Sequence, residues 1–287
     1  MDELLWDART LVELQELSDP RDRGKIGLGG WAAHPFVVGC TALVCCVRPD
    51  AVVVANAGDC RAVLSRAGKA LELSEDHKPD LPRESARIQR AGGWVEAEQH
   101  GRSAVHRVNG DLSLSRAIGD LEYKQNKLLP PGDQLIVATP DVMSVKRERS
   151  DEFLLIACDG VWDVISSQEA VDFVRARLGR REDWARRLGN GTLNLSAVTE
   201  ELLDRCLSPD LEQTDGIGGD NMTAVLVLFL PSPSESAPQV PLQGIVAGVP
   251  PLLVTTSFQP PAQRLRPVPL HVVSRPLVHG APAYLRT

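Results

Sequence analysis

The chain has 287 residues, of which 43% are hydrophobic, so it can bury a full core in one large domain. Its formal net charge of -7 excludes a generally basic surface that would hold a nucleic-acid backbone. No segment approaches the ~20 apolar residues that a membrane-spanning helix needs. The six cysteines form no C-x-x-C pair and the N-terminus does not resemble a secretory signal, so we expect an intracellular protein, cytoplasmic or nuclear.

The first predicted element is a helix over residues 3–17. The stretch is acidic, and its apolar residues recur at helical spacing. The residues predicted to share one face of it are Leu4, Ala8, Leu11 and Leu14. A glycine-rich segment, residues 24–30, follows. It has no preceding strand and lacks the G-x-G-x-x-G spacing, so it is interpreted as a loop rather than a nucleotide-binding turn.

Three short apolar runs come next, and they predict strands over residues 41–47, 51–58 and 60–65. Their connections are only two or three residues long, with Gly58-Asp59 joining the second strand to the third. Connections this short favour an antiparallel meander.

The rest of the chain up to Leu230 alternates between helical and strand patterns. A helix is predicted over residues 83–93, and strands over 153–157 and 223–230. Ser166 and Glu169 form a capping box that opens another helix. The apolar face predicted for that helix consists of Ala170, Val171, Val174 and Leu178. Because strands and helices are interspersed without strict alternation, the fold class is α+β.

The composition changes after Leu230, where 12 of the chain's 21 prolines lie. Four arginines and one glutamate give residues 231–287 a charge of +3, which leaves -10 for residues 1–230. Such proline density predicts a disordered tail that adds neither strand nor helix to the core. Pro238 and Pro241 form one P-x-x-P, so the tail is either a docking site for a proline-binding module or dispensable.

Four aspartates lie beside the ends of apolar strands, and they are Asp59, Asp159, Asp163 and Asp220. Clustered carboxylates are the ligands that Mg²⁺ or Mn²⁺ prefers. Taken singly, each aspartate also fits a role without a metal, as part of a turn, as a solvated loop residue or in an Asx-turn. The three scattered histidines that compete as zinc ligands, His77, His100 and His106, fit surface or hydrogen-bonded roles better.

Seven stretches, in order, resemble the metal-dependent protein serine/threonine phosphatases of type 2C. They are "GCTALVCCV", "VANAGDCRAVL", "LSEDHKP", "RVNGDLSLSRAIGD", "ATPDV", "FLLIACDGVWDVISSQEAV" and "GDNMTAVLV". The resemblance implies an αββα layered sandwich of two antiparallel sheets flanked by helices. It also implies Mg²⁺ or Mn²⁺ as the cofactor and phosphoserine and phosphothreonine proteins as substrates.

The resemblance assigns roles to individual residues. Asp159 and Asp220 match the aspartates that hold the main metal pair, directly or through water. Asp59 and Asp163, together with Asp159, match those at a third metal position. Trp162 is expected to pack rather than react, and no serine or cysteine nucleophile is implied.

The family's opening stretch, Phe-Asp-Gly-His-Gly-Gly with an earlier arginine and acidic pair, has no match in the 287 residues. We therefore expect an N-terminally incomplete domain with little activity of its own. The alternative is a pseudophosphatase that acts as a binding module. The predicted organisation is a helix and loop belonging to the phosphatase domain over 1–38, a type 2C phosphatase-like domain over 39–230 and a tail over 231–287.

Overall fold

The computed structural model describes residues 2–5, 7–17, 37–100, 103–231 and 271–275. The helices described are α1 (Asp2–Leu5), α2 (Ala8–Leu17), α3 (Pro82–Arg90), α4 (Asp159–Trp162), α5 (Ser167–Leu178), α6 (Trp184–Gly189) and α7 (Leu195–Cys206). The strands described are β1 (Gly39–Cys40), β2 (Ala42–Val47), β3 (Ala51–Ala57), β4 (Arg61–Arg66), β5 (Lys69–Glu72), β6 (Val95–His100), β7 (Ser103–Val108), β8 (Ile118–Gly119), β9 (Asp141–Lys146), β10 (Asp151–Ala157), β11 (Met222–Leu228) and β12 (His271–Arg275). Among these residues, no helix has the length and apolar character needed to cross a membrane.

Two antiparallel sheets form the centre of the molecule. The larger has the order β12-β11-β10-β4-β5 and the smaller the order β2-β3-β9. Val52 and Val54 of β3 pack with Leu64 of β4 and Leu154 of β10, so the two sheets share one core. Burying a side chain of this kind stabilises the fold by about 1.5–3 kcal/mol.

The other face of the larger sheet is covered by helices. Leu155 of β10 and Leu226 of β11 are fully buried in one cluster with Val174 of α5 and Leu202 of α7. Successive residues of a strand point to opposite faces, so β10 supplies Leu154 to the core between the sheets and Leu155 to the core under the helices. The predicted α+β class with antiparallel sheets is therefore confirmed.

The capping box that opens α5 is also confirmed. The backbone N–H of Glu169 donates to Ser166 Oγ, and the backbone N–H of Ser166 donates to a Glu169 carboxylate oxygen at 3.0 Å. The four residues predicted to face the core, Ala170, Val171, Val174 and Leu178, are all fully buried. The capping signal therefore fixes both the start of α5 and the face it turns to the sheet.

The predicted meander is wrong between β3 and β4, because the chain crosses from the smaller sheet to the larger one at Gly58-Asp59. Gly58 has a φ of 129°, which side chains rarely adopt. A Cβ on Gly58 would lie 2.4 Å from Cγ2 of Thr41, so glycine alone permits the close crossing. Both edges of β3 are meanwhile occupied, by β2 and by β9.

The prediction that the tail adds no strand is also wrong. Residues 271–275 form β12, which pairs antiparallel with β11 from Met222↔Arg275 to Leu226↔His271. The segment is free of proline and contains two adjacent valines, so it can occupy the edge of β11 despite the prolines around it. The P-x-x-P at Pro238 and Pro241 lies outside the described residues.

The N-terminal helix is divided in two, whereas one helix was predicted. Helix α2 begins after Asp7, whose carboxylate accepts the backbone N–H of Arg9 at 2.8 Å and so caps the helix. Leu4, predicted to face inward, is 60% exposed. The side chains of Ala8, Leu11 and Leu14 lie outside the described residues, as does the loop over 24–30.

Candidate metal centre

The strand β10 carries two of the four aspartates directly out of the core. Asp159 begins α4 two residues after β10 ends, and Asp163 is the C-cap residue of that short helix. The backbone N–H of Asp163 donates to the carbonyl oxygen of Asp159 at 2.8 Å. This single turn therefore brings both carboxylates to the same end of the larger sheet.

Gly160 allows the chain around Asp159 to approach the segment that contains Asp220. A Cβ on Gly160 would lie 2.4 Å from the carbonyl oxygen of Asn221, a backbone atom that cannot move aside easily. The backbone N–H of Cys158 also donates to the Thr223 carbonyl at 3.2 Å, which ties the two segments together. Glycine at position 160 is thus a steric requirement of the close approach.

Asp59 reaches the same region from the crossing between the two sheets, and His77 holds that crossing in place. The backbone N–H of Gly58 donates to His77 Nδ1 at 3.0 Å, and the backbone N–H of His77 donates to the Gly58 carbonyl at 3.0 Å. Because Nδ1 accepts a hydrogen bond there, Nε2 carries the ring proton and donates to the Asp141 carboxylate at 3.1 Å. His77 is fully buried, and burial lowers its pKa while Asp141 opposes the shift.

The electrostatics show that the four carboxylates are near one another. Burial, followed by the neighbouring charges of Asp59 and Asp220, raises the pKa of Asp159 to about 6. Although part of Asp163 faces solvent, the surrounding protein desolvates its carboxyl group and raises its pKa, and Lys78 opposes that shift. The structure therefore brings together all four aspartates that the sequence singled out.

Lys78 lies inside this group of carboxylates. Its Nζ donates to Asp59 Oδ2 at 2.7 Å, and the Asp59 side chain is only 4% exposed. Burial alone would lower the pKa of Lys78, but Asp59 and Asp163 together raise it. The ammonium group therefore offsets part of the repulsion between the aspartates.

The donor set suits a hard divalent cation, because carboxylate oxygens are the ligands that Mg²⁺ and Mn²⁺ prefer. The raised pKa values of Asp159 and Asp163 indicate negative charge that a cation would offset. In the part of the chain that the structure describes, no three His, Cys, Asp or Glu side chains converge closely enough to hold a metal ion. The aspartates thus fit a cation in chemistry and charge, and would have to draw together around it.

Trp162 packs, as predicted, rather than facing the carboxylates as a reactive group. Its indole N–H donates to the Ala157 carbonyl at 2.8 Å, and the side chain is buried. The guanidinium of Arg61 stacks over the ring at 5.2 Å from its centroid and binds the Asp76 carboxylate through two hydrogen bonds.

Sequence reasoning missed Lys78, and for His77 it predicted a surface or hydrogen-bonded residue without finding that it is buried and holds the crossing between the two sheets in place. Both lie in the stretch "LSEDHKP", which carried part of the family resemblance. Neither has an apolar periodicity or a ligand spacing that would indicate its role. Their partners are 19 residues away in the chain, so only the fold reveals them.

The chain has relatives among known proteins. The family described as Protein phosphatase 2C matches residues 21–214. Bovine protein phosphatase 1G is 48% identical over 202 residues, covering 70% of this chain and 34% of that protein. The probable protein phosphatase 2C 11 of Oryza sativa subsp. japonica is 48% identical over 191 residues, covering 67% of this chain and 47% of that protein.

The chain therefore spans between a third and about half of the length of these relatives. Among solved structures, a phosphatase from Toxoplasma gondii matches with a TM-score of 0.49 and 34% identity, covering 63% of this chain and 49% of that one.

Proposed function

Because the chain belongs to the protein phosphatase 2C family, we propose that residues 39–230 carry a Mg²⁺- or Mn²⁺-dependent phosphatase site for phosphoserine and phosphothreonine in proteins. The observation that carries this proposal is the meeting of four aspartates at one end of the larger sheet, where burial, followed by the charges of Asp59 and Asp220, raises the pKa of Asp159 to about 6. A chain gains nothing in stability from carboxylates that are desolvated and repel one another, so a cation-binding role accounts for the cluster best.

Asp159 and Asp220 would hold the main cations, directly or through water, and Asp59 and Asp163 together with Asp159 would hold a third. When bound, divalent cations supply an acidified water and offset phosphate charge. The chain's own contribution is positional: Gly160 permits the approach of the two acidic segments, and Lys78 orients the Asp59 carboxylate through a hydrogen bond.

We further propose an αββα architecture for the domain. Its support is the outward face of the smaller sheet, where Val44 is 63% exposed and Val142 is 65% exposed among the described residues. These two valines lie in one row of the sheet, on either side of Ala55, with which both pair. Apolar residues in that position are typical of a sheet face that a helical layer covers.

A second candidate function is a module that binds phosphoproteins without turnover. It is favoured by Lys78, which already occupies the Asp59 carboxylate with a hydrogen bond of 2.7 Å. An intracellular site of action, supported by six cysteines that are all free thiols, suits both candidates.

Incubating the purified chain with a phosphothreonine peptide separates these functions. We expect slow phosphate release, in keeping with the little activity expected from the sequence, that requires Mn²⁺, stops with EDTA and is lost in Asp159→Asn. The matched control is Asp50→Asn, which removes an exposed carboxylate at the opposite end of β3 from Asp59. Mn²⁺-dependent peptide binding without release would establish the binding module, and the absence of both would overturn the proposal.

A further inference from the structure

Two cysteines face each other across the strands that lead to the metal centre. Strands β4 and β10 are antiparallel, and Arg61, the first residue of β4, pairs with Ala157, the last residue of β10. Extending this register by one residue brings Cys60 opposite Cys158. Each of these cysteines is the chain neighbour of one aspartate of the centre, so a change in the pair acts directly beside two carboxylates.

Both cysteine side chains belong to the face of the larger sheet that turns towards the smaller sheet. Residues two apart in a strand point to the same face. Cys60 is two residues before Ala62, and Cys158 is two residues after Ile156. Both of those apolar residues pack in the core between the sheets. In agreement with this, Cys60 Sγ lies 3.3 Å from Oγ1 of Thr41, which joins β1 to β2.

The register also fixes the backbone separation of the two cysteines. Residues directly opposite in an antiparallel pair have Cα atoms about 4.5 Å or about 5.5 Å apart, depending on whether the pair exchanges backbone hydrogen bonds. A disulfide joins residues whose Cα atoms are roughly 4.4–6.8 Å apart. Both values lie within that range, so the sulfur atoms of Cys60 and Cys158 can meet by rotating about their Cα–Cβ bonds while the strands stay in place.

The sulfur atom of Cys158 ties together the two acidic segments of the metal centre. It accepts the backbone N–H of Thr223 at 3.2 Å and donates to the Asn221 carbonyl at 3.5 Å. Asp159 follows Cys158 in the chain, and Asp220 precedes Asn221. A bond to the opposite cysteine would withdraw this sulfur from both contacts, and the hold between the two acidic segments would loosen.

We propose that Cys60 and Cys158 are a modification site for a peroxide oxidant, at which a disulfide forms and weakens cation binding at the metal centre. The two thiols lose two protons and two electrons, one S–S bond replaces two S–H bonds, and the O–O bond of hydrogen peroxide breaks to give two waters. The effect on the cation rests on the proposed function. Loss of contacts that orient metal ligands typically lowers metal affinity by roughly 10- to 100-fold.

The surroundings of the two thiols set the conditions under which the bond forms. Both cysteines are free and partly exposed, so a small oxidant can reach them. Burial raises the pKa of Cys60 to about 11 and also raises the pKa of Cys158. Few thiolates are therefore present at neutral pH, and the bond forms only under a sustained oxidant. A reversible disulfide of this kind suits an intracellular protein, in which such bonds are transient.

The first test detects the bond itself in the full chain. The metal-free chain is incubated with hydrogen peroxide and desalted, its free thiols are blocked, and it is cleaved before aspartates. The fragments 59–75 and 151–158 each contain a single cysteine, so one linked pair identifies the disulfide by mass. We expect this pair from the parent chain and from the control Cys46→Ser, which removes an exposed thiol elsewhere. Cys60→Ser and Cys158→Ser should each lack it.

The second test measures Mn²⁺ affinity by calorimetry before and after the peroxide treatment. The affinity of the parent chain and of Cys46→Ser should fall by roughly 10-fold or more, and dithiothreitol should restore it. Cys60→Ser should bind Mn²⁺ equally before and after treatment, which controls for oxidation of other side chains. Absence of the linked pair, or unchanged Mn²⁺ affinity in the linked chain, would overturn the inference while the proposed function stands. If the reduced parent chain binds no Mn²⁺, the proposed function fails and the effect on the cation fails with it, whereas the linked pair would still establish the disulfide.

Discussion

The buried carboxylate of Glu84 offers a quantitative test of how the domain is held together. Glu84 is 1% exposed and accepts hydrogen bonds from Arg116 at 2.6 Å, from Ser115 at 2.8 Å and from Arg87. Glu84→Gln would remove the carboxylate that two buried guanidinium groups share, leaving Arg87 with carbonyl partners alone and Arg116 with Asp141 at 2.8 Å. We therefore expect the free energy of unfolding at pH 7 to fall by about 3–5 kcal/mol.

The same magnitude follows from the ionisation of Glu84. Burial alone would raise its pKa, but Arg116, Ser115 and Arg87 together lower it from 4.5 to about 2. A lowered folded-state pKa means that the contribution is complete above about pH 4.5 and is lost as the pH falls through 2. A shift of this size corresponds to about 3 kcal/mol.

Urea denaturation at several pH values measures this contribution directly. The control is Glu75→Gln, since Glu75 pairs with Arg83 at 2.9 Å but its side chain is 59% exposed. We expect that control to cost less than about 1 kcal/mol. The difference between the parent chain and Glu84→Gln should shrink as the pH falls from 5 towards 2. A loss below 1 kcal/mol at pH 7, or equal losses in the two variants, would refute the reasoning.

Three further outcomes are expected. Gly160→Ala should weaken Mn²⁺ binding and destabilise the fold, because its Cβ would lie 2.4 Å from a backbone oxygen. The control Gly189→Ala, whose Cβ would have nothing within 4 Å, should be neutral or stabilising. Equal Mn²⁺ affinities of the two variants in calorimetry would contradict this. Asp159→Asn should reduce Mn²⁺ affinity more than Asp163→Asn, since Asp159 is assigned to both metal positions; the reverse order would show that the assignment is wrong. Truncation before β12 should lower the melting temperature and promote self-association, measured by light scattering, because it uncovers the edge of β11. Truncation after β12 should change neither. Identical melting temperatures and masses for the two truncated chains would show that β12 does not pair with β11.

Local signals in the sequence were sufficient for the elements that position the centre. The capping box at Ser166 and the apolar run before Asp159 both depend on neighbours a few residues away, and both features appear in the structure as predicted. The four aspartates were also identified correctly as neighbours. Their common position at strand ends was the signal, because strand ends meet at one edge of a sheet.

Features that depend on distant partners were not predictable in the same way. The length of the Gly58-Asp59 connection favours a hairpin, but β2 and β9 already flank β3, and the chain crosses to the other sheet. Proline density argues against a strand in the tail, but five proline-free residues are enough to pair with an open edge. Glu84 and Arg116 are 32 residues apart, so their pairing is decided only by the packing of α3.

The central claim is that these aspartates bind a divalent cation, and calorimetric titration of Mn²⁺ into the purified chain tests it most directly. The account predicts saturable binding in the parent chain and in Asp50→Asn, and no measurable binding in the double variant Asp159→Asn with Asp220→Asn. Binding of equal affinity in the double variant would show that the cation lies elsewhere and would contradict the account.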